Sequence, residues 1–238
     1  KDAHRGVPAV SVAKGLETGT LSRPSEIIHE VLHPAKIAVL AGPSHAEEVA
    51  RGLPASVVCA STDLDFAREV QGVFSNQRFR AYANNDPLGV EFCGAVKNII
   101  AIAAGISDAL GFGDNAKSAL LTRGLVEIVR LGERVGAQAE TFYGLAGLGD
   151  LITTSISPYG RNRHVGMEIG KGTKLPAVIE GLRGQVAEGV VTTKAVRALA
   201  KRLNVEMPIT SEVYRILFED KDPRQAVVDL MMRSLKDE

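Results

Sequence analysis

The sequence contains no tryptophan, only two cysteines and no excess of charge of either sign, with 28 basic against 28 acidic residues. The two cysteines, Cys59 and Cys93, lie in apolar segments, as buried thiols of a reducing cytoplasm do, and form no disulfide framework. Zero net charge leaves no basic excess for a nucleic-acid backbone. No apolar run reaches the roughly 18 residues of a membrane helix. We expect a soluble, cytoplasmic protein without nucleic-acid partners or membrane insertion.

Histidine and glycine patterns exclude two further kinds of site. None of the five histidines has the spacing of a metal motif such as H-E-x-x-H, so we predict no metal. The clusters GFGDNA (111–116) and GLAGLGD (144–150) lack the context of a nucleotide loop, because the first follows a helical pattern and the second has the wrong glycine order. We interpret them as a helix break and as a tight turn that presents Asp150. The histidines are His4, His29, His33, His45 and His164.

The first 84 residues alternate short β-rich runs with segments of helix length. This β-α-β-α alternation predicts a mainly parallel sheet flanked by helices, although the unit is short for a complete doubly wound domain. Pro24 is placed as a first-turn proline, Ser44 as an N-cap, and Thr62 or Asp63 as the cap of a third helix. The predicted strands are 7–13, 36–40, 55–60 and 78–83, and the predicted helices are 24–32, 44–51 and 62–74.

The second part of the sequence has helical periodicity almost to its end. We therefore divide the chain into an α/β part, residues 1–84, and an all-helical domain, residues 85–238. Arg123 and Glu127, one turn apart, are expected to form a solvated pair. An apolar stripe at Leu121, Leu125, Ile128, Gly132 and Val135 indicates either core or an interface of a homodimer. The predicted helices are 87–110, 117–135, 163–170, 188–203, 210–218 and 223–234.

Lys97 is the strongest single candidate for chemistry. Its one-turn neighbours in GAVKNIIA (94–101) are Gly94 and Ala101, small residues that would leave a cavity around the amine. A lysine in an apolar helix either snorkels to water or is desolvated with a lowered pKa suited to proton transfer. Asn98 beside it either binds a polar substrate group or makes a buried hydrogen bond between helices.

Two further segments carry polar groups in suggestive places. Asp150 leads into an apolar segment and is either a helix N-cap or a partner that orients Lys97. The run RNRH (161–164) follows a turn at a predicted helix start, where guanidinium, amide and free N–H groups suit a phosphate, although a solvated basic turn is the simpler interpretation.

Two strand ends also suggest a ligand crevice. Lys14-Gly15 follows the first predicted strand, and Gly42-Pro43-Ser44 follows the second and opens a helix. Ligands of α/β sheets bind at such ends. Both segments are otherwise simple turns.

Taken together, these motifs resemble the bacterial-type NAD(P)-dependent glycerol-3-phosphate dehydrogenases, in family order over nearly the whole chain. The segments that carry the resemblance are VAKGLE (12–17), LAGPSHAEE (40–48), GAVKNIIA (94–101), LTRGL (121–125), GLGDL (147–151), RNR (161–163), QVAEG (185–189) and VEMPI (205–209).

The resemblance implies the later part of a Rossmann-like domain followed by a helical substrate domain. It implies reversible reduction of dihydroxyacetone phosphate to sn-glycerol 3-phosphate, a phospholipid precursor, with NAD(P)H as cofactor. Lys97 matches the catalytic lysine and Asp150 the acid beside it. By the same resemblance, the substrate residues are Lys14, Gly42, Ser44, Lys97, Asn98, Asp150, Thr154, Gly160, Arg161 and Asn162, and the cofactor residues are Lys14, Ala46, Arg161, Val186 and Glu188.

The sequence departs from the family at its start, where the chain begins with Lys1 and no G-x-G-x-x-G loop follows a strand. We therefore expect a fragment, a cleaved product or an incompletely traced chain that binds cofactor poorly and is nearly inactive. Two alternatives stay open: a dehydrogenase of another hydroxy acid with a helical second domain, and a non-catalytic helical dimer module.

Overall fold

The computed structural model describes residues 6–235 and 237, so Lys1 and His4 lie outside the described residues. The first part of the chain forms one sheet of four strands in the order β1-β2-β3-β4. Each strand agrees with a predicted one to within two residues at either end. The strands are β1 (Ala9–Ser11), β2 (Ile37–Ala41), β3 (Ala55–Ala60) and β4 (Phe79–Asn84).

The sheet is mixed. The pairs β1-β2 and β3-β4 are parallel, as predicted, but β2 and β3 pair antiparallel. The reason is the connection between them, which contains only the five-residue helix α2 (Ala46–Ala50). Such a helix is about 7.5 Å long and does not return along a strand of about 17 Å, so β3 starts at the end where β2 finishes.

Helices cover both faces of this sheet. Of the two predicted caps, Thr62 and Asp63, it is Asp63 that begins α3 (Leu64–Phe74), since its carboxylate accepts hydrogen bonds from two amides of the first turn. Phe66 and Val70 of α3 pack on one face of the sheet, and Val90 and Ala146 of the helical part pack on the other. The two flanking helices of the α/β part are α1 (Pro24–Leu32), with Pro24 in its first turn, and α3 (Leu64–Phe74).

The second part of the described chain is helical, as predicted. Three of its helices were missed by the sequence interpretation because they are short or glycine-rich, so that tertiary packing rather than propensity forms them. These are α6 (Ala139–Tyr143), α7 (Asp150–Ile156), which follows a π-helical turn at Leu145–Gly149, and α9 (Leu175–Gly181). The others are α4 (Pro87–Ala109), α5 (Gly113–Arg134), α8 (Arg161–Gly170), α10 (Glu188–Leu203), α11 (Pro208–Phe218) and α12 (Pro223–Met231).

The central element is α4. Its length and apolar composition are those of a membrane-spanning helix, but 94% of its most apolar window is buried inside the fold. Gly105 and Gly166 let α8 cross α4 at close range, because a Cβ on Gly105 would lie 2.0 Å from the carbonyl oxygen of Arg163 and one on Gly166 would lie 2.0 Å from that of Ile102. This crossing brings the start of α8 toward the middle of α4.

The stripe on α5 belongs to the core. Leu125, Ile128 and Gly132 are buried, and a Cβ on Gly132 would lie 2.0 Å from the ring of Phe142. The stripe is therefore not the interface that a dimer module would need. The prediction that Glu127 is a solvated partner of Arg123 was wrong, because Glu127 is only 2% exposed.

Glu127 instead holds the start of α11. Its carboxylate accepts hydrogen bonds from the amides of Ile209 at 2.6 Å and Thr210 at 3.3 Å. Burial raises the pKa of Glu127 to about 7 in spite of these donors. The signal missed in the sequence is that Glu127 lies one turn before Leu131, an apolar residue that is also buried.

Candidate active site

Lys97 lies in the middle of α4 and is 3% exposed, so it is desolvated rather than snorkelling. Its Nζ atom lies 2.5 Å from Asp150 Oδ1 and donates a hydrogen bond of 2.5 Å to Thr154 Oγ1. Thr154 in turn donates to Asp150 Oδ1 at 3.2 Å, one turn away on α7. These three side chains form one buried hydrogen-bonded group. Lys14 joins it from the side that is partly open to solvent.

Lys14 approaches the same carboxylate from the loop after β1. Its Nζ donates a hydrogen bond of 2.9 Å to Asp150 Oδ2. Its side chain is 26% exposed, in contrast to that of Lys97. The small residue Gly94 leaves space as predicted, but the stem of Lys14 lies there, 3.6 Å from the position of a Cβ on Gly94. Lys14, Lys97, Asp150 and Thr154 are called the lysine cluster below.

Asp150 is the partner of Lys97 and not an N-cap. It is the first residue of α7, has helical backbone angles, and is 3% exposed. The π-helical turn before it is possible because Gly147 lies against the backbone of Phe142, with a Cβ position only 2.0 Å from that carbonyl oxygen. The glycine-rich turn therefore presents Asp150 toward α4.

The electrostatics of the cluster favour proton transfer by Lys97. Burial lowers the pKa of Lys97 to about 8, Asp150 opposes this shift, and the charge of Lys14 adds to it. For Asp150, burial raises the pKa, but the two ammonium groups outweigh it and hold the pKa below its ordinary value. One anion between two cations leaves a net positive charge in this group.

The start of α8 lies beside the cluster. A Cβ on Gly160, the N-cap, would lie 2.6 Å from the carbonyl oxygen of Thr154. Arg161 is 47% exposed, and its Nη2 lies 3.7 Å from a carboxylate oxygen of Glu188. Asn162 is buried and accepts a hydrogen bond of 2.9 Å from the amide of Gly189. Arg163, the second arginine of the run 161–164, does not contribute to this site, because it forms an ion pair with Asp108 on α4.

The turn between β2 and α2 faces α7. Gly42 has φ +149°, and a Cβ there would lie 2.8 Å from Val57 Cα, so a side chain at this position would collide with β3. The N-cap of α2 is His45 and not, as predicted from the sequence, Ser44. The Ser44 hydroxyl instead donates a hydrogen bond of 3.2 Å to the carbonyl oxygen of Gly42. Pro43 Cγ lies 3.8 Å from the Cβ position of Gly149.

Three predicted residues lie apart from these contacts. Ala46 is exposed at the start of α2, and Val186, which is 57% exposed, lies just ahead of α10. The Asn98 amide donates to the carbonyl oxygen of Gly94 at 3.2 Å and is thus used within α4.

Gly189 is a site residue that sequence reasoning missed. A Cβ there would lie 2.8 Å from the Asn98 carbonyl oxygen and 2.7 Å from Asn162 Oδ1, so only glycine fits between α4 and α8. Its signal was a glycine directly after Glu188 in the first turn of a predicted helix. Among residues 6–235 and 237, no group of three or more histidine, cysteine or acidic side chains is placed for a metal.

A Rossmann-like sheet, whose first strand is followed by a lysine that contacts a buried lysine–aspartate pair of a helical domain, is the arrangement of nicotinamide-dependent dehydrogenases with a helical substrate domain. A family model described as the C-terminus of NAD-dependent glycerol-3-phosphate dehydrogenase matches residues 86–228, and one described as its N-terminus matches residues 1–67. The chain belongs to the NAD-dependent glycerol-3-phosphate dehydrogenase family, and its cofactor is NAD(P)H.

Individual relatives agree with this assignment. A glycerol-3-phosphate dehydrogenase (NAD(P)+) of Pelodictyon phaeoclathratiforme is 53% identical, over 96% of this chain and 69% of that protein. One of Salinibacter ruber is 52% identical, over 99% of this chain and 70% of that protein. The crystal structure of glycerol-3-phosphate dehydrogenase from Coxiella burnetii has a TM-score of 0.89 at 45% identity, covering 94% of this chain and 68% of that one.

Proposed function

We propose that this dehydrogenase reduces dihydroxyacetone phosphate to sn-glycerol 3-phosphate, reversibly, and so supplies glycerophospholipid synthesis. The observation that carries the proposal is the buried bond between Lys97 and Asp150 of the helical part, which Lys14 of the α/β part also contacts. Bound NAD(P)H supplies the hydride that the ketone carbon accepts. The protein must supply a proton for the ketone oxygen and hold the phosphate.

Lys97 is the proposed proton donor. Its ammonium group gives a proton to the ketone oxygen as that oxygen gains negative charge, and the neutral amine accepts it in the reverse direction. Asp150 keeps the ammonium oriented and charged, and Thr154 accepts a second hydrogen bond from it. A pKa of about 8 suits this role, because both forms of Lys97 are then populated near neutral pH.

The substrate phosphate is proposed to bind at the start of α8. Arg161 offers a guanidinium, and the free N–H groups of the ten-residue helix offer partial positive charge. The second cation is Lys14, whose Nζ is already at the cluster. The remaining proposed substrate residues are Gly42, Ser44, Asn98, Gly160 and Asn162.

The residues present fit the pyrophosphate of a nicotinamide dinucleotide. Lys14 and Arg161 are partly exposed cations, and Arg161 is held near Glu188 by their contact at 3.7 Å. We assign Lys14, Arg161 and Glu188 to cofactor binding. The exposed residues Ala46 and Val186 are assigned to it as well. The proposed domain boundary, 1–84 and 85–238, is supported by the end of β4 at Asn84 and the start of α4 at Pro87.

Oligomeric state and location are also proposals. We propose a homodimer that uses the exposed apolar residues Val228, Met231 and Met232 at the end of the chain, because such a group favours contact with another surface. Light scattering would report the mass. The free, buried thiols of Cys59 and Cys93 support a cytoplasmic location, which cell fractionation tests.

The test of the function is NAD(P)H oxidation with dihydroxyacetone phosphate and with dihydroxyacetone, at a protein concentration high enough to measure the low turnover expected from the sequence. Turnover confined to the phosphorylated ketone supports the proposal. Equal turnover of both, or turnover with a different hydroxy acid, would overturn it in favour of another dehydrogenase.

A further inference from the structure

A contact between the α/β part and the helical part lies just outside the lysine cluster. The imidazole ring of His45 lies 6.1 Å from the ring of Tyr159, centre to centre, with 57° between the planes. Arg51 Nη1 donates a hydrogen bond of 3.0 Å to the Tyr159 hydroxyl oxygen. We call the ring pair, with Arg51 bracing it, the His45–Tyr159 latch.

The latch connects the two turns proposed to hold the substrate. His45 follows Ser44 and is the N-cap of α2, whereas Tyr159 precedes Gly160, the N-cap of α8. The turn between β2 and α2 is held at a second point, where Pro43 lies against Gly149 just ahead of α7. That turn therefore contacts the helical part on both sides of α7.

We propose that His45 and Tyr159 are positioning residues, which set the separation between the Ser44 turn and the start of α8 and thereby the affinity for the substrate phosphate. This inference rests on the function proposed above. Tilted rings at this separation attract each other. Donors on two separate turns bind one phosphate well only when their separation is held, so a contact that fixes it acts on affinity more than on chemistry.

The contribution of His45 is one of packing. Its Nε2 atom is buried and has no hydrogen-bond partner among residues 6–235 and 237. A phenylalanine retains the ring contact and removes that unpaired nitrogen. His45→Phe thus separates packing from hydrogen bonding.

The experiment measures the affinity for sn-glycerol 3-phosphate and for inorganic phosphate by calorimetry, and kcat and KM for dihydroxyacetone phosphate. We expect His45→Ala and Tyr159→Ala each to weaken binding and raise KM about fivefold, with kcat nearly unchanged. Because both remove the same contact, the double variant is expected to be no weaker than either single one. His45→Phe is expected to bind like the unsubstituted protein.

Tyr214→Ala is the matched control, because Tyr214 also packs against a ring, that of Phe218, and against a guanidinium, that of Arg197, but on α11. Binding should not change. Arg51→Ala removes the hydrogen bond to Tyr159 and the guanidinium that lies 5.6 Å from the centre of its ring, but it keeps both rings, and it should weaken binding about threefold. If circular dichroism shows that Tyr159→Ala does not fold, Arg51→Ala replaces it as the test.

Additive losses from His45→Ala and Tyr159→Ala would overturn the inference, and so would a loss in His45→Phe as large as in His45→Ala. Normal affinity in the alanine variants, with turnover that still depends on Lys97, overturns the latch and leaves the proposed function standing. Absence of turnover and of sn-glycerol 3-phosphate binding in the unsubstituted protein overturns the proposed function itself.

Discussion

Lys14 and Asp150 are 136 positions apart in the chain, yet Lys14 Nζ donates a hydrogen bond of 2.9 Å to Asp150 Oδ2. Lys97 binds the other oxygen of the same carboxylate. The shared carboxylate joins the loop after β1 to α4 and α7, and it is the point at which the two parts of the chain meet in one site. Its two cations give the site an excess of positive charge suited to an anionic substrate.

Removal of the Lys97 amine should abolish most of the activity. Lys97→Met keeps the length of the side chain but has no proton to donate, so kcat for dihydroxyacetone phosphate should fall on the order of 10²–10⁴-fold. Asp150 retains Lys14 as a partner, so the fold should persist by circular dichroism. Lys117→Met is the control, because Lys117 is also ion-paired, with Asp108. Similar losses in both variants would contradict the assignment.

The pH dependence of the two directions should be opposite. Reduction needs protonated Lys97, so kcat/KM should fall as pH rises through about 8, the pKa of Lys97. Oxidation needs the neutral amine and should rise through the same pH. Initial rates between pH 6 and pH 10 in both directions check this. Profiles of the same sign in both directions would exclude Lys97 as the titrating group.

Substitution of Asp150 and of Lys14 should shift the pH at which reduction is lost in opposite directions. Asp150→Asn removes the anion that raises the pKa of Lys97, so reduction should be lost at lower pH. Lys14→Met removes a cation that lowers this pKa, so reduction should persist to higher pH. Measuring kcat alone against pH keeps weaker substrate binding out of the comparison. Shifts of the same sign would show that the two residues act on something other than Lys97.

Arg161 should matter for the phosphate of the substrate and little for the ketone. Loss of a charge-assisted hydrogen bond costs about 1.5–3 kcal/mol, so Arg161→Ala should raise KM for dihydroxyacetone phosphate about 10–100-fold. Competition by inorganic phosphate should weaken in parallel. Arg202→Ala, at an exposed arginine of α10, should leave both unchanged.

Glu127 should make stability depend on pH. The pKa of Glu127, about 7 in the folded protein, lies above its ordinary value of 4.5, so its contribution to stability is full below about pH 4.5 and is lost as pH rises through about 7. The loss amounts to as much as about 3 kcal/mol. Urea unfolding of Glu127→Gln should show a shallower decline between pH 5 and pH 8. Glu140→Gln, at an exposed position of α6, should keep the original slope.

Local pattern was sufficient for most of the elements. Local pattern predicted α1 and α10 to the residue, and Asp63, one of the two predicted caps, lies at the start of α3. A break between α4 and α5 was correctly predicted, but it is shorter than the predicted 111–115, because α5 already begins at Gly113. These features depend on neighbours within one or two turns, which sequence contains.

The sequence by itself determined the class of fold, the candidate residues Lys97 and Asp150, and the family, because these depend on local periodicity and on motif order. Only the tertiary structure decided that Asp150 binds Lys97 rather than capping a helix, that Lys14 occupies the space beside Gly94, that β2 and β3 are antiparallel, and that Glu127 is buried. Each of these results depends on a contact between segments distant in the chain. Such contacts are set by which faces pack together, and periodicity within a single segment carries no information about its partner.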